Sequence, residues 1–193
     1  MKKIIFKILK IIFIFIVSVL ILYSAAFSIA GTYLIYKAYH FVMTPWKEMK
    51  NMVTENPAES VYMTQWRKLQ REKGESDSIS HIFIPLDSIS KHLPDAVLAA
   101  EDDGFWVHPG FNPIAMLEAY QDNISAGKIK RGGSTITQQL AKNMFLTNEK
   151  SFDRKFRELA YTVLIEKYWG KKRILELYLN YAEWGPGIFG CEA

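Results

Sequence analysis

Three consecutive carboxylic acids, Glu101, Asp102 and Asp103, lie in the segment EDDGFWVHPG. A helix predicted over residues 94–103 carries them at its C-terminal end, where the helix dipole is negative. Like charges and the dipole both disfavour ionisation, which suits a general base that works near neutral pH. The same pattern is typical of a solvated acidic helix end, and the carboxylates alone do not distinguish a catalytic site from such an end.

The residues that follow the carboxylates favour a site. Phe105, Trp106 and His108 come directly after the helix end, and their rings are expected to shield it from water. A lone histidine such as His108 is more often a hydrogen-bonded structural residue than a catalyst or a ligand.

A second candidate segment, GGSTITQQLAKN, spans residues 132–143. A helix beginning at Ser134 or Thr135 and ending at Phe145 is predicted, because Ser and Thr are good N-caps. Its apolar stripe and its polar face are distinct. The stripe comprises Ile136, Leu140 and Met144, and the face comprises Thr135, Gln138, Gln139 and Lys142.

This polar face predicts a ligand site. Helix N-terminal amides with a lysine further along can bind an anion, and glycines let a backbone approach a ligand. The phosphate-binding loop of nucleotide-hydrolysing enzymes is excluded, because no lysine separates the glycines from the Ser-Thr pair. A plain solvent-facing surface is the alternative, although such surfaces favour charge over Gln-Gln.

A third segment predicts a helix over residues 151–168. Arg154 and Glu158 are one turn apart in it, a spacing typical of a surface salt bridge of little energetic value. The residues predicted to pack are Phe152, Phe156, Leu159, Ala160, Val163 and Leu164.

The N-terminus predicts a membrane anchor. Residues 11–36 contain no charge and are long enough to span a bilayer. Lysines within residues 1–10 favour a cytoplasmic N-terminus, which places the remainder outside the membrane. A cleaved signal peptide ending near Gly31 is the alternative, but its apolar region is expected to be shorter.

The remaining elements position these segments. Residues 37–80 are predicted to be membrane-proximal, either lying on the membrane surface or packing on the domain. They include a helix that begins near Asn56 and Pro57 and ends at Gly74. Residues 81–193 form the main domain, with a short extended piece before Pro85 and otherwise helices, including 113–125 and 171–182. The fold class is therefore mainly α.

Composition excludes some functions. The lysines at positions 2, 3, 7 and 10 account for the net charge of +4, so the body of the protein is electrically balanced. A nucleic-acid partner is not expected, since it would require a basic surface outside the N-terminus. The single cysteine, Cys191, excludes an internal disulfide and a cysteine-based metal cluster.

The motifs together resemble the family 51 glycosyltransferases, which polymerise peptidoglycan. The matching segments are EDDGFWVHPG, RGGSTITQQLAKNMFL, RKFRELAYTVLIE and KKRILELYLNYAEWGPGIFG, in the family's order from about residue 82 onward. The ending and the short anchored layout are most similar to the monofunctional biosynthetic transglycosylases. The resemblance implies a lysozyme-like helical domain behind one transmembrane helix. Family members continue for tens of residues, so we expect the C-terminal part of the domain to be missing.

The resemblance also implies roles for individual residues. Glu101 corresponds to the general base and Glu158 to the second catalytic glutamate, near the diphosphate of the donor. Lys142 and Arg154 correspond to diphosphate-binding cations, and Thr135 and Gln139 to donor-site contacts. Further substrate-binding residues are expected within the same motifs: Ser134, Gln138, Asn143, Asp102, Phe105 and His108.

The implied substrate is lipid II, together with the growing glycan on undecaprenyl diphosphate. The expected location is the plasma membrane, with the domain outside it and other cell-wall synthesis proteins as candidate partners. No cofactor is required by the sequence, and whether Mg²⁺ or Mn²⁺ accompanies the diphosphate is open. Two alternatives remain: a lysozyme-like hydrolase or lytic transglycosylase that cuts finished glycan, and an inactive membrane-anchored remnant.

Overall fold

A computed structural model describes residues 2–129, 131–149 and 151–193 of the chain. Met1, part of the predicted basic tail, lies outside the described residues. The chain divides into two compact units, Met1–Met43 and Thr44–Ala193. The elements, in chain order, are α1 (Lys2–Met49), α2 (Val61–Lys73), β1 (Ser80–His81), α3 (His92–Glu101), α4 (Pro113–Ala126), α5 (Ile136–Phe145), α6 (Phe152–Tyr168), α7 (Gly170–Tyr181), β2 (Glu183–Gly185) and β3 (Ile188–Phe189). The predicted mainly helical fold is confirmed.

The first unit is helical and apolar. Residues Leu9–Phe41 have a mean hydropathy of 2.6 and are not buried within the protein. By length and composition this helix can cross a membrane. It extends past both ends of the predicted span of 11–36, and it is compatible with a single membrane anchor.

In the second unit α5 is the central helix. It packs against α2, α6 and α7. Its apolar stripe is buried as predicted, at Ile136, Leu140 and Met144. Apolar residues at helical spacing therefore form the core of the domain, together with Ile165 of α6 and a buried row on α7.

Polar side chains of α7 bind backbone groups of the segments that precede α3 in the chain. The Asn180 amide accepts from the Ile84 backbone N–H at 2.8 Å and donates to the Ile84 carbonyl at 2.9 Å. Glu176 accepts from the Leu86 N–H at 2.9 Å. Arg173 binds Glu176 at 2.6 Å and also donates to the backbone carbonyl of Met52. These side chains supply the partners that irregular backbone requires.

Some predictions about the elements were wrong. Helix α2 begins at Val61, because the Ser60 hydroxyl accepts from the Met63 N–H and acts as the N-cap in place of Asn56. A small sheet, with strand order β1-β3-β2, was not predicted. Its strands are two or three residues long, too short to show an alternating pattern.

The predicted packing face of α6 was also wrong. Four residues of the predicted stripe are exposed: Phe152, Phe156, Leu159 and Val163. The buried face carries Glu158, Tyr161, Thr162 and Ile165 instead. A polarity pattern places a glutamate on the solvent-exposed side of a helix. Because Glu158 is buried, the observed packing face of α6 is rotated around the helix relative to the predicted one.

Candidate active site

The end of α3 separates the three carboxylates. Glu101 is the last helical residue, earlier than the predicted Asp103, and its side chain is exposed. Asp102 follows with extended backbone at φ −165° and is buried. Asp103 is exposed again. The helix end therefore presents Glu101 outward and Asp102 inward, so the two neighbours have different environments.

Asp102 connects the loop after α3 to helix α5. Its Oδ1 atom is 2.8 Å from His108 Nε2, and its Oδ2 accepts from the Ile136 N–H at 2.9 Å. His108 Nδ1 accepts from the Gly110 N–H at 3.0 Å. Because Nδ1 accepts, Nε2 is the donor to Asp102, and both ring nitrogens of His108 have partners within the protein. Its predicted substrate contact stays a prediction.

Two backbone N–H groups at the N-terminus of α5 already have hydrogen-bond acceptors within the protein. The Thr135 side chain accepts from the Gln138 N–H at 3.2 Å, and the Gln138 side chain accepts from the Thr135 N–H at 3.0 Å. This is a capping box. The Ile136 N–H donates to Asp102, so the protein's own carboxylate lies at this helix end. The expected anion site there stays a prediction.

A cleft of about 360 Å³ lies between the end of α3 and the start of α5. Its lining includes Glu101, Asp103, Arg131, Ser134 and Gln139. Asn112, Thr135 and backbone of the Gly132–Gly133 pair also face it. The cleft thus combines one exposed glutamate with hydroxyls, amides and an arginine, a set of groups suited to hydrogen-bonding a sugar.

The two glycines of this cleft differ in what they permit. A Cβ on Gly133 would lie 2.9 Å from the Met116 Cα of α4, so glycine is required there by packing. A Cβ on Gly132 would meet open space. Only Gly133 therefore brings two backbones together, and those backbones are the protein's own.

Glu101 is held by a polar neighbour. The Gln139 Nε2 atom donates to Glu101 Oε2 at 2.9 Å. On its other side, Gln139 Oε1 accepts from the Tyr178 hydroxyl at 3.2 Å. Burial, more than the nearby carboxylates of Glu101 and Asp102, raises the pKa of Tyr178 to about 12. Tyr178 was not predicted from the sequence, where it was one aromatic residue in an apolar helix.

Glu158 forms a second acidic site on α6. The side chain is buried, with 3% of the residue exposed. Arg154 Nη1 donates to Glu158 Oε2 at 2.7 Å, and the Lys155 ammonium donates to Oε1. Desolvation of an unpaired carboxylate is costly, so these two cations keep Glu158 in place. Lys155 was not predicted.

Lys142 and Asn143 lie on α5, beyond the capping box, and both are half-buried. Within the residues that the structure describes, the Lys142 ammonium forms no ion pair. Neither Lys142 nor the Arg154–Glu158 pair is among the described residues that line the cleft around Glu101. They lie on α5 and α6, which pack together.

Phe105 belongs to the core beneath the site. It is fully buried, and the Lys171 ammonium lies 4.5 Å from its ring centroid. The same ammonium donates to Glu166 at 2.7 Å, and the Thr137 hydroxyl donates to Glu166 at 2.5 Å. This partly buried network was missed, although Glu166 lies about two turns beyond Glu158 on α6.

Metal ligands are not clustered in the part of the chain described here. Over residues 2–129, 131–149 and 151–193 no group of three or more His, Cys, Asp or Glu side chains is placed to hold a metal ion.

A helical domain with an exposed glutamate in a polar cleft, and a second glutamate held by cations, has the groups of an enzyme that performs acid–base chemistry on carbohydrate. Comparison with known proteins is more specific. The transglycosylase family matches residues 67–193, and the chain therefore belongs to the transglycosylase family.

Individual relatives agree with the family. The chain is 42% identical to the biosynthetic peptidoglycan transglycosylase of Thiobacillus denitrificans over 160 residues, which cover 83% of this chain and 67% of the relative. It is 43% identical to that of Azoarcus sp. over 169 residues, which cover 88% and 70%. The protein of the same name from Aromatoleum aromaticum is 48% identical over 138 residues, which cover 72% and 60%.

Proposed function

We propose that this protein is a membrane-anchored peptidoglycan glycosyltransferase that joins lipid II units into β-1,4-linked glycan. The observation that carries the proposal is the Glu101 carboxylate, exposed in a polar cleft and held by the Gln139 amide at 2.9 Å. Family membership supports glycosyl transfer as the reaction. The names of the relatives support peptidoglycan as the product.

In the proposed reaction, Glu101 removes the proton from the 4-hydroxyl of the acceptor N-acetylglucosamine. The resulting oxygen attacks the anomeric carbon of the donor, and the bond from that carbon to the diphosphate oxygen breaks. Undecaprenyl diphosphate leaves with the bonding electrons, and the α-linked donor becomes a β-linked product. An exposed carboxylate can reach an incoming hydroxyl directly, which general-base catalysis requires.

The diphosphate is proposed to bind the cations of α5 and α6. Lys142 has no anionic partner among the described residues, and Arg154 is committed to a single carboxylate, Glu158. Phosphate oxygens accept charge-assisted hydrogen bonds from both types of side chain. Glu158 would then orient Arg154 toward the leaving group.

The apolar span Leu9–Phe41 supports a position at the membrane. The lysines before it favour a cytoplasmic N-terminus, and the catalytic domain is proposed to face the outside, where lipid II is polymerised. Other cell-wall synthesis proteins are proposed as partners on the same side.

The purified protein, supplied with lipid II in detergent, tests the proposal. Wild type is expected to convert lipid II into glycan, and Glu101→Gln is expected to abolish conversion without lowering the unfolding temperature. Glu72→Gln, an exposed glutamate on α2, is the matched control and should retain activity. Consumption of finished glycan in place of lipid II would overturn the proposal and favour the hydrolase, whereas a fully active Glu101→Gln would overturn the role of Glu101 as the base.

A further inference from the structure

A line of three side chains runs from the core of the domain to the exposed carboxylate. Tyr178 of α7 is buried and donates to Gln139 Oε1 at 3.2 Å. Gln139 of α5 is half-buried and donates to Glu101 at 2.9 Å. The line therefore links three separate helices, α7, α5 and α3, and ends in the cleft.

The direction of each hydrogen bond in this line is fixed by chemistry. An ionised carboxylate only accepts, so the amide nitrogen of Gln139 must face Glu101. The amide oxygen then faces Tyr178, whose phenol must donate. Because burial raises the pKa of Tyr178 to about 12, the phenol keeps its proton at any pH at which an enzyme works.

We propose that Tyr178 is a positioning residue for the reaction, which holds the Gln139 amide so that its N–H group points at the Glu101 carboxylate. The proposal rests on the proposed function, in which Glu101 is the base. The carboxylate selects the amide nitrogen, and the phenol holds the rest of the group. Because Tyr178 donates to the amide oxygen while the amide N–H donates to Glu101, the Gln139 side chain is restrained at both ends.

Loss of the phenol has a predictable electrostatic effect. A hydrogen bond to the charged form of an acid favours that form. Without Tyr178 the Gln139 side chain is no longer held at its amide oxygen and can move away from the carboxylate, and the ionised base then loses a donor. Among the described residues that line the cleft, the other charged side chains are Arg131, Asp102 and Asp103, and the substitution leaves them unchanged.

The test is the pH dependence of kcat/KM for lipid II with the purified protein. In Tyr178→Phe, the midpoint of the acidic limb is expected to move upward by about one pH unit, the effect of one hydrogen bond on a carboxylate. Activity should fall by about tenfold at a pH below both midpoints and by much less above them. A loss of packing alone would lower activity equally at every pH.

Two further variants make the test specific. Gln139→Met removes the amide and should move the limb in the same direction, and adding Tyr178→Phe to it should produce no further shift. Tyr181→Phe is the matched control: this phenol lies on the same helix and is buried, but it donates to the Pro57 carbonyl. It should leave the limb in its wild-type position.

The outcomes separate the two proposals. An unmoved limb in Tyr178→Phe, a second shift in the double variant, or an equal shift in Tyr181→Phe would each overturn the positioning role. Full activity in Glu101→Gln, or a wild-type profile without an acidic limb, would instead overturn the assignment of Glu101 as the base.

Discussion

The side chains of Asp102 and His108 form a buried pair, with 2.8 Å between Asp102 Oδ1 and His108 Nε2. The other oxygen of Asp102 accepts from the first helical N–H of α5, at Ile136. One carboxylate thus joins the loop after α3 to the helix whose Gln139 side chain holds Glu101. Asp102 acts on the geometry of the cleft through these contacts.

Removing this carboxylate should destabilise the domain. Asp102→Ala leaves two buried donors, His108 Nε2–H and the Ile136 N–H, without acceptors, at a cost of about 2–4 kcal/mol. Chemical unfolding in detergent measures the free energy of unfolding. Asp103→Ala, an exposed neighbour, is the control and should change it by less than about 0.5 kcal/mol. Equal stability of the two variants would contradict the structural role of Asp102.

Gly110 should tolerate no side chain. It has φ +92°, and a Cβ there would lie 2.6 Å from Glu166 Cγ and 2.8 Å from Thr162 Cγ2. Gly127 is a matched control, since it also has positive φ, +63°, but a Cβ there would meet open space. Gly127→Ala should cost about 1 kcal/mol from backbone strain alone. Gly110→Ala should cost a further 1–3 kcal/mol, roughly, from the clash.

The comparison of these two glycines is made by thermal unfolding of both variants. If Gly110→Ala and Gly127→Ala lower the unfolding temperature equally, the loop after His108 is not packed against α6 as described.

Local rules accounted for much of the fold. The apolar stripe of α5, the cap at Thr135 and the glycine that ends α2 all follow from spacing and residue type. Burial did not follow from such rules. The spacing of Arg154 and Glu158 predicted a salt bridge, but it did not show that Glu158 is buried or that Lys155 also pairs with it.

The candidate site likewise contains residues that the sequence predicted and residues that it did not. The sequence placed Glu101, Thr135 and Gln139 in motifs that the structure brings to one cleft. Tyr178 was missed, because a tyrosine within an apolar stripe is indistinguishable from a core residue until the helices are packed. Asp102 was grouped with Glu101 as a neighbour in sequence, whereas the helix end leaves Glu101 exposed and Asp102 buried.

Stability should decrease in mild acid because of His81. Within the described part of the chain its Nε2 atom is buried without a hydrogen-bond partner, and burial lowers the pKa of His81 below 6.5. Below pH 6.5 the unfolded chain therefore binds more protons than the folded one, and the free energy of unfolding falls as the pH decreases. His81→Leu should show a smaller fall between pH 7.5 and about 5.5 in thermal unfolding. An unchanged pH dependence in this variant would show that other groups cause it.

Membrane topology gives a further prediction. Four lysines precede the apolar span, so the N-terminus should remain in the cytoplasm and residues after Trp46 should be outside. A reporter that is active only in the cytoplasm, fused after Trp46, should be silent, whereas one that requires export should be active. The reverse pattern would refute the orientation. A mature protein beginning at Gly31 would show that the span is a cleaved signal peptide.

Lys142 and Arg154 provide the sharpest test of the diphosphate site. Arg154 can hold phosphate oxygens with two parallel N–H groups, while Lys142 supplies a movable point charge. Each alanine variant should lower kcat/KM for lipid II by roughly 30- to 1000-fold, which corresponds to a loss of about 2–4 kcal/mol of transition-state stabilisation.

The controls for these two variants are cations of the same type outside the site. Lys172 is exposed on α7, and Arg157 is exposed on α6, where it pairs with Asp153 at 3.1 Å. Their alanine variants should change activity by a few-fold at most, since exposed charges contribute little. Thermal unfolding of all four variants separates a lost ligand contact from a lost fold.

Because Arg154 also pairs with the buried Glu158, its variant is expected to lose stability, so Lys142→Ala decides whether these cations bind the diphosphate. Near-normal turnover of lipid II by a well-folded Lys142→Ala would remove this cation from the diphosphate site and leave Arg154 as a partner of Glu158 alone.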